Sequence, residues 1–177
     1  MHEQGDVRRK VALAVSTAEY FLRRPIEDVL DIGCGEGAWL KHLRALRPRA
    51  MYAGIDSSDY VVERFGAERN IRKGSFSDLR KFHGSFDLVV CADVLHYIGD
   101  RELQRGISHL ERLTDGIAFI EILTTGDDIV GDTEELIRRP AEWYRQLFER
   151  AGFVQAGPYC WLPESMHDVA AELEIVR

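Results

Sequence analysis

The sequence predicts an α/β protein with a mostly parallel sheet covered by helices on both faces. Three observations lead there. Short apolar runs of strand length alternate with segments of helical period from residue 26 to residue 123. One such run, Val29-Leu30-Asp31-Ile32, enters a turn with glycine at every second position (Gly33, Gly35, Gly37) and passes directly into the helical pattern Ala38, Trp39, Leu40, Leu43, Leu46. Another run, Phe86-Asp87-Leu88-Val89-Val90-Cys91-Ala92, is apolar almost throughout after Asp87, as a central strand buried on both faces must be.

Taken in order, residues 7–24 carry a helical stripe through Val11, Leu13, Ala14, Ala18, Phe21 and Leu22, closed by Pro25. Strand 26–32 and helix 37–47 follow, with Pro48 as a stop. Strand 50–56, helix 58–69 and a short strand near 70–75 come next. After the strand 86–92, helix 100–113 leads to strand 116–123, whose Gly-Ile-Ala-Phe-Ile-Glu-Ile-Leu is again nearly all apolar. The polar segment 124–138 is the candidate substrate loop, because a long connection inside a small domain is usually functional or disordered. Helix 140–151 starts with Pro140 in its first turn and ends at Ala151-Gly152. Strand-like runs near 153–161 and 168–176 lack a helix between them, which predicts an antiparallel hairpin at one sheet edge. Crossovers between the parallel strands are expected to be right-handed.

Composition excludes several functions. The 177 residues suit one domain, and 45% hydrophobic with 30% charged residues is ordinary for a globular chain. A net charge of -7 argues against nucleic acid, whose phosphates need clustered Lys and Arg. The short basic clusters Arg8-Arg9-Lys10, Arg23-Arg24 and Arg138-Arg139 read as solvated helix faces. Cys34, Cys91 and Cys160 form no CxxC pair and an odd number, so neither a metal site nor a disulfide framework is expected. No run approaches the ~20 apolar residues of a membrane span, and residues 1–10 lack the apolar core of a signal peptide. The expectation is a cytoplasmic monomer or homodimer without membrane partners.

Strand, glycine turn and helix in that order form a cradle for a polar cofactor group. Glycine admits close backbone approach and positive φ, and the helix start offers unpaired N–H donors. Asp31 stands just before the glycines. The run Met51-Tyr52-Ala53-Gly54-Ile55 ends in Asp56, about 20 residues downstream, where a nucleotide-binding βαβ unit places its ribose carboxylate.

These residues resemble the class I S-adenosylmethionine-dependent methyltransferases from about Val29 onward. Asp31-Ile32-Gly33-Cys34-Gly35-Glu36-Gly37 is similar to that family's first motif and Gly54-Ile55-Asp56-Ser57-Ser58 to its second. Gly74-Ser75-Phe76-Ser77-Asp78-Leu79 is similar to the third, and the stretch from Phe86 through Asp93-Val94-Leu95-His96-Tyr97-Ile98 to the fourth. The resemblance implies a three-layer Rossmann-like fold, with a seven-stranded sheet that is mostly parallel and closes on an antiparallel C-terminal strand. It implies S-adenosyl-L-methionine as cofactor and S-adenosyl-L-homocysteine as product.

The same resemblance assigns roles. Gly33, Cys34 and Gly35 would pass close to the methionine portion, with Asp31 near its ammonium. Asp56 would accept from the two ribose hydroxyls, while Ser57 and Ser58 flank the adenine or cap the next helix. Asp78, in the Ser77-Asp78-Leu79 loop, would accept from the adenine amino group or merely cap a turn, with the Leu79 N–H facing a ring nitrogen. Cys91, Ala92 and Asp93 would line the floor near the sulfonium. Cys34 and Cys91 read as packing residues rather than nucleophiles, and Trp39 as core. His96 and Tyr97 are the candidate catalytic residues, His96 as a base or as a structural residue of its turn, Tyr97 as pocket lining.

The substrate mouth is expected at Tyr20, the His96-Tyr97 turn and residues 124–138, with a small molecule as acceptor through O, N or C. No Asn-Pro-Pro-Tyr-type tetrapeptide follows the fourth strand, which disfavours amino-purine, amino-pyrimidine and glutamine-amide acceptors. Residues 138–153 with Leu162-Pro163-Glu164 weakly resemble enzymes that methylate protein N-termini. Two other classes fit parts of the pattern: an NAD-dependent oxidoreductase, through the GxGxxA form of the turn, and a non-catalytic S-adenosylmethionine-binding module.

Overall fold

The computed structural model describes residues 4–127 and 136–171. Its elements are α1 (Gln4–Leu22), β1 (Asp28–Ile32), α2 (Ala38–Leu46), β2 (Met51–Asp56), α3 (Asp59–Arg69), β3 (Ile71–Lys73), a 3-10 turn (Phe76–Lys81), β4 (Phe86–Ala92), a second 3-10 turn (Leu95–Tyr97) and α4 (Asp100–Leu113). They continue with β5 (Thr114–Glu121), α5 (Ala141–Arg150), β6 (Val154–Gly157), β7 (Cys160–Leu162), a 3-10 turn (Glu164–Met166) and α6 (His167–Ala170).

The strands lie in the order β3-β2-β1-β4-β5-β7-β6. Pairing is parallel from β3 to β5, and β7 runs antiparallel to both of its neighbours. The order reverses between β1 and β4, so the turns leaving these two strands diverge and open a crevice at their carboxyl ends.

Side-chain alternation builds two cores. Leu30, Ile32, Val89, Cys91, Ala118 and Ile120 face α4 and α5, against Leu103, Ile107, Leu110 and Phe148. Val29, Leu88, Val90, Ile117 and Phe119 face the other way, against Val11, Ala14, Ala18, Trp39 and Leu43 of α1 and α2. Both faces are apolar because helices cover both, so the strands carry unbroken hydrophobic runs. In α4, Leu103, Gly106, Ile107, Leu110 and Leu113 keep one buried stripe. A Cβ at Gly106 would stand 2.3 Å from the Phe76 ring, so this glycine lets the Phe76–Lys81 turn lie on α4.

Most elements lie within two residues of their expected bounds. α1 begins three residues before its expected start, and the larger departure is at the C-terminus. Both edge strands lie inside 154–162, folded back at Pro158-Tyr159 with Tyr159 at φ 60°. Proline cannot continue a strand ladder, and Gly157 already pairs with Cys160 across the turn. Of the second run expected at 168–176, residues 168–170 belong to α6, and 172–176 lie outside the described residues.

At the amino end of the sheet, Asp87 is 4% exposed and accepts both guanidinium branches of Arg24, at 2.7 and 2.6 Å, together with the Glu27 N–H at 2.6 Å. Burial raises its pKa, but Arg24 and the Glu27 amide outweigh burial and hold it below the usual carboxylate range. Replacing Asp87 by Ala should cost about 2 kcal/mol, less than a wholly buried pair because Arg24 keeps solvent access. The parent should also lose this contribution as pH falls through the depressed carboxyl pKa. Urea unfolding at pH 7 and pH 3 measures both, with the gap between parent and Asp87→Ala narrowing at pH 3.

Candidate cofactor and acceptor site

The glycine turn is shaped by long-range bonds from β2. The Gly33 and Cys34 N–H groups donate to the Ile55 carbonyl at 2.8 and 3.1 Å. The Asp56 carboxylate then closes the turn, with Oδ2 accepting from the Gly35 N–H at 2.8 Å and Oδ1 from the Ser58 N–H at 2.9 Å. Two glycines serve different ends here. Gly33, at φ 65°, would place a Cβ 2.3 Å from Val94 Cγ2, so it is required by packing. Gly35, at φ 52°, would place a Cβ with nothing within 4 Å, so it borders open space.

Asp31 projects from the same strand end into the protein and is 3% exposed. Its Oδ2 accepts from the Tyr52 hydroxyl at 2.8 Å. Gly54, opposite Asp31 in the register, leaves room for the Cys34 sulfur and that hydroxyl, since a Cβ there would stand 2.7 and 3.2 Å from them. Burial, with Asp56 nearby adding to it, pushes the Asp31 carboxyl up to about 7 against the Tyr52 hydrogen bond. Burial likewise raises the Cys34 thiol to about 12 and the Cys91 thiol further, which makes both packing groups rather than nucleophiles.

The third expected motif is only partly assembled. Asp78 Oδ2 accepts from the Ser75 N–H at 2.9 Å and hydroxyl at 3.0 Å, while Oδ1 takes the Lys81 ammonium at 2.6 Å. Lys81 first, then Ser75, hold this carboxyl down to about 2. Asp78 thus caps its turn beyond the carboxyl end of β3. Ser77 turns outward to Glu102 of α4, at 2.5 Å. Leu79 sends its side chain into the core, and only its backbone can meet a ligand. Ser58 caps α3, accepting from the Val61 N–H at 3.4 Å, and Ser57 is exposed beside it.

β4 delivers Cys91, Ala92 and Asp93 to the floor of the crevice. Cys91 is wholly buried, so its contribution is backbone. Asp93 sits at φ 60°, unusual without glycine, and its N–H donates to the Glu121 carbonyl at 3.0 Å. His96 does not open onto this floor. It is 0% exposed, and its Nδ1 accepts from the Leu123 N–H at 3.3 Å. Burial is the main cause that lowers its pKa, helped by Arg139 and opposed by Asp93. Tyr97 stacks on it at 4.4 Å between centroids and is half exposed.

Tyr20 lies at the wrong end. α1 runs opposite to β4 and β5, so Leu22 packs over Gly116 near the start of β5. The opposite end of α1 reaches the crevice edge, where Lys10 pairs with Glu121 at 2.6 Å. An amphipathic stripe shows which helix face is buried but not which way the helix points along the sheet.

Arg139 also departs from expectation. It is 5% exposed, off any helix, and donates to the Ile98 carbonyl, Asp100 Oδ1 and the Tyr144 hydroxyl at 2.6–2.9 Å. Sequence reasoning missed Tyr52 and Arg139 alike, because Asp31 lies 21 residues from Tyr52, and Ile98 and Asp100 lie 41 and 39 residues from Arg139. Residues 128–135 of the expected substrate loop lie outside the described residues.

A sheet reversing at β1/β4, a glycine turn bordering open space and a carboxylate ending β2 define a nucleotide-cofactor protein of the α/β class. The antiparallel β7 between β5 and β6 distinguishes its sheet from that of a dehydrogenase. Residues 3–162 match the family model described as a methyltransferase domain, and the chain belongs to that family, the class I S-adenosylmethionine-dependent methyltransferases. It is similar to trans-aconitate 2-methyltransferase of Deinococcus radiodurans, 35% identical over 59% of this chain and 41% of that one. It is also similar to malonyl-[acyl-carrier protein] O-methyltransferase of Legionella pneumophila, 28% identical over 96% of this chain and 61% of that one. The chain therefore spans about half the length of the curated relatives it matches. Among solved structures, Streptomyces venezuelae DesVI shares the fold, with a TM-score of 0.68 at 13% identity over 89% of this chain and 92% of that one. The plantazolicin methyltransferase BamL, solved with S-adenosylhomocysteine, gives 0.67 at 16% over 84% and 65%.

Asp31 carries a pH dependence of definite sign. Its folded pKa of about 7 lies above the unfolded value, so the folded state holds a proton that the unfolded state has released in the window between them. Stability should fall by a few kcal/mol as pH rises from about 4 to about 7. Asp31→Asn should lack this slope and exceed the ligand-free parent in stability at pH 8. Urea midpoints at pH 5 and pH 8 test this, and equal slopes in the two proteins would remove it.

Proposed function

We propose that this chain binds S-adenosylmethionine in the β1/β4 crevice and transfers its methyl group to a carboxylate oxygen of a small acid. The observation that carries the reading is the pair formed by Gly35 and Asp56. The glycine faces open space while its N–H fixes one oxygen of a carboxylate that is only half buried.

An ionised carboxylate has about four lone-pair positions. Two are taken by Gly35 and Ser58, which leaves acceptors for both ribose hydroxyls. Asp31, buried beneath the glycine turn, would feel the cofactor ammonium as a nearby positive charge that favours its ionised form. Gly35 admits the methionine chain, and the backbone of 91–93 forms the floor. Asp78 can meet the adenine amino group while still held by Ser75.

Bound there, S-adenosylmethionine supplies an already electrophilic methyl, so the protein's tasks are alignment and exclusion of water. The acceptor oxygen bonds to the methyl carbon as the carbon–sulfur bond breaks, and the sulfide leaves neutral. A carboxylate is deprotonated at neutral pH and attacks without a general base, which suits a site whose histidine is buried. The names of the two curated relatives, one for trans-aconitate and one for a malonyl group, support an acid acceptor. A cleft of about 230 Å³ at the end of β5, walled by Ile122, Tyr144, Phe148 and Trp161 with Arg145 among its lining, suits an acid with an apolar part.

Calorimetry with S-adenosylhomocysteine and NAD tests the cofactor, with binding expected for the first alone. Gly35→Ala should stay folded at a cost of about 1 kcal/mol for its positive φ and lose at least tenfold in S-adenosylhomocysteine affinity. Gly33→Ala should instead lose stability through the Val94 clash. Normal affinity in folded Gly35→Ala would remove the crevice assignment. Tritiated-methyl transfer across small carboxylic acids, including trans-aconitate and malonyl thioesters, tests the acceptor. Labelling of amines in place of acids would overturn the carboxylate reading.

A further inference from the structure

His96 fastens two parts of the chain that sequence separates widely. Its Nδ1 accepts from the N–H of Leu123, two residues past the end of β5. Its own carbonyl accepts from the N–H of Ile137 at 2.8 Å, four residues before α5 begins. The connection between β5 and α5 therefore leaves and returns over one residue. Its two described flanks also hold each other. The Thr125 N–H donates to the Arg139 carbonyl at 3.0 Å, and Arg138 donates to the carbonyls of Thr125 and Asp127 at 3.3 and 3.1 Å. The Arg139 guanidinium then pins the returning flank to Ile98, just after the same post-β4 turn, and to Asp100 at the start of α4.

We infer that His96 is a positioning residue for the proposed methyl transfer, a clasp holding both flanks of the β5–α5 connection against the turn that continues from the cofactor floor. The inference rests on the methyltransferase reading for its functional consequence, not for the clasp itself. The nitrogen that accepts from Leu123 is the unprotonated one, so the proton of the neutral ring sits on Nε2. Among the described residues Nε2 has no hydrogen-bond partner and is buried. The lone pair a general base would need is already committed to the clasp and lies out of reach of an acceptor. Asp93, three residues upstream at positive φ, is bonded through its N–H to Glu121 at the end of β5. Floor and connection are thereby joined at two points, and losing the clasp frees the second.

Three substitutions separate the roles of the two ring nitrogens. His96→Asn can place its amide oxygen near Nδ1, His96→Gln reaches toward Nε2, and His96→Phe keeps the ring without an acceptor. Amide exchange at Leu123 and Ile137, measured on the folded chain without ligand, should speed up at least about tenfold in His96→Phe and remain within about threefold of the parent in His96→Asn. S-adenosylhomocysteine affinity should follow the same order, with a loss of about tenfold in His96→Phe and recovery in His96→Asn but not in His96→Gln. Leu123→Pro removes the donor without touching the histidine, and combining it with His96→Phe should add nothing further to exchange at Ile137. If His96→Phe does not fold, Leu123→Pro alone carries the test. Unchanged Ile137 exchange in the folded single variants, additive effects in the double variant, or rescue by Gln and not by Asn would overturn the clasp. The exchange measurements decide it whether or not the parent binds S-adenosylhomocysteine.

Discussion

The Asp56 carboxylate links two turns that would otherwise be independent. One oxygen holds the Gly35 N–H and the other the Ser58 N–H, so the β1–α2 and β2–α3 turns share one anion at the carboxyl edge. A charged acceptor between two backbone donors is worth more than a neutral hydrogen bond and is sharply directional. It sets how far Gly35 stands from the end of β2. Asp31 and Tyr52 support the same region from beneath: Gly54 gives the tyrosine hydroxyl and the Cys34 sulfur a place beside a buried carboxyl. The glycine turn is thus built in layers, a buried polar pair below and a partly exposed carboxylate above.

That arrangement depends on the cores on both faces. Parallel strands with apolar residues on both sides can be satisfied only by helices above and below. Because those strands run parallel, all the turns that follow them lie at one edge of the sheet. The glycine turn, the Asp78 turn and the Asp93 turn meet there because each follows a strand of the same sheet. Gly106 illustrates the tolerance of the packing: its missing side chain lets Phe76 rest on α4, and Asp78 stands two residues beyond Phe76.

The region around the end of β5 is assembled by a different logic. It takes its position from contacts across long sequence separations, with His96 and Arg139 gathering the β5–α5 flanks and Lys10 bringing the start of α1 to Glu121. A buried arginine must satisfy several donors at once, and Arg139 does so with a carbonyl, a carboxylate and a phenol while lying over the Trp143 ring at 4.8 Å.

The division between what was legible and what was not follows from the range of the forces. The strands β1, β2, β4 and β5, the helices between them and the glycine turn were readable, because hydrophobic period, proline stops and positive-φ glycines act over a few residues. The places of Asp31 and Asp56 near strand ends and of Gly35 in the turn between β1 and α2 were legible, because each is local information. Pro158 hid the short β6–β7 turn within one apolar run, so the edge hairpin was placed too late. The direction of α1, which put Tyr20 at the far edge, the burial of Arg139 and the capture of His96 by Leu123 were decided only by tertiary structure. Each depends on a hydrogen bond or packing contact whose partner lies tens of residues away, and no pattern in the neighbouring sequence carries that partner's identity.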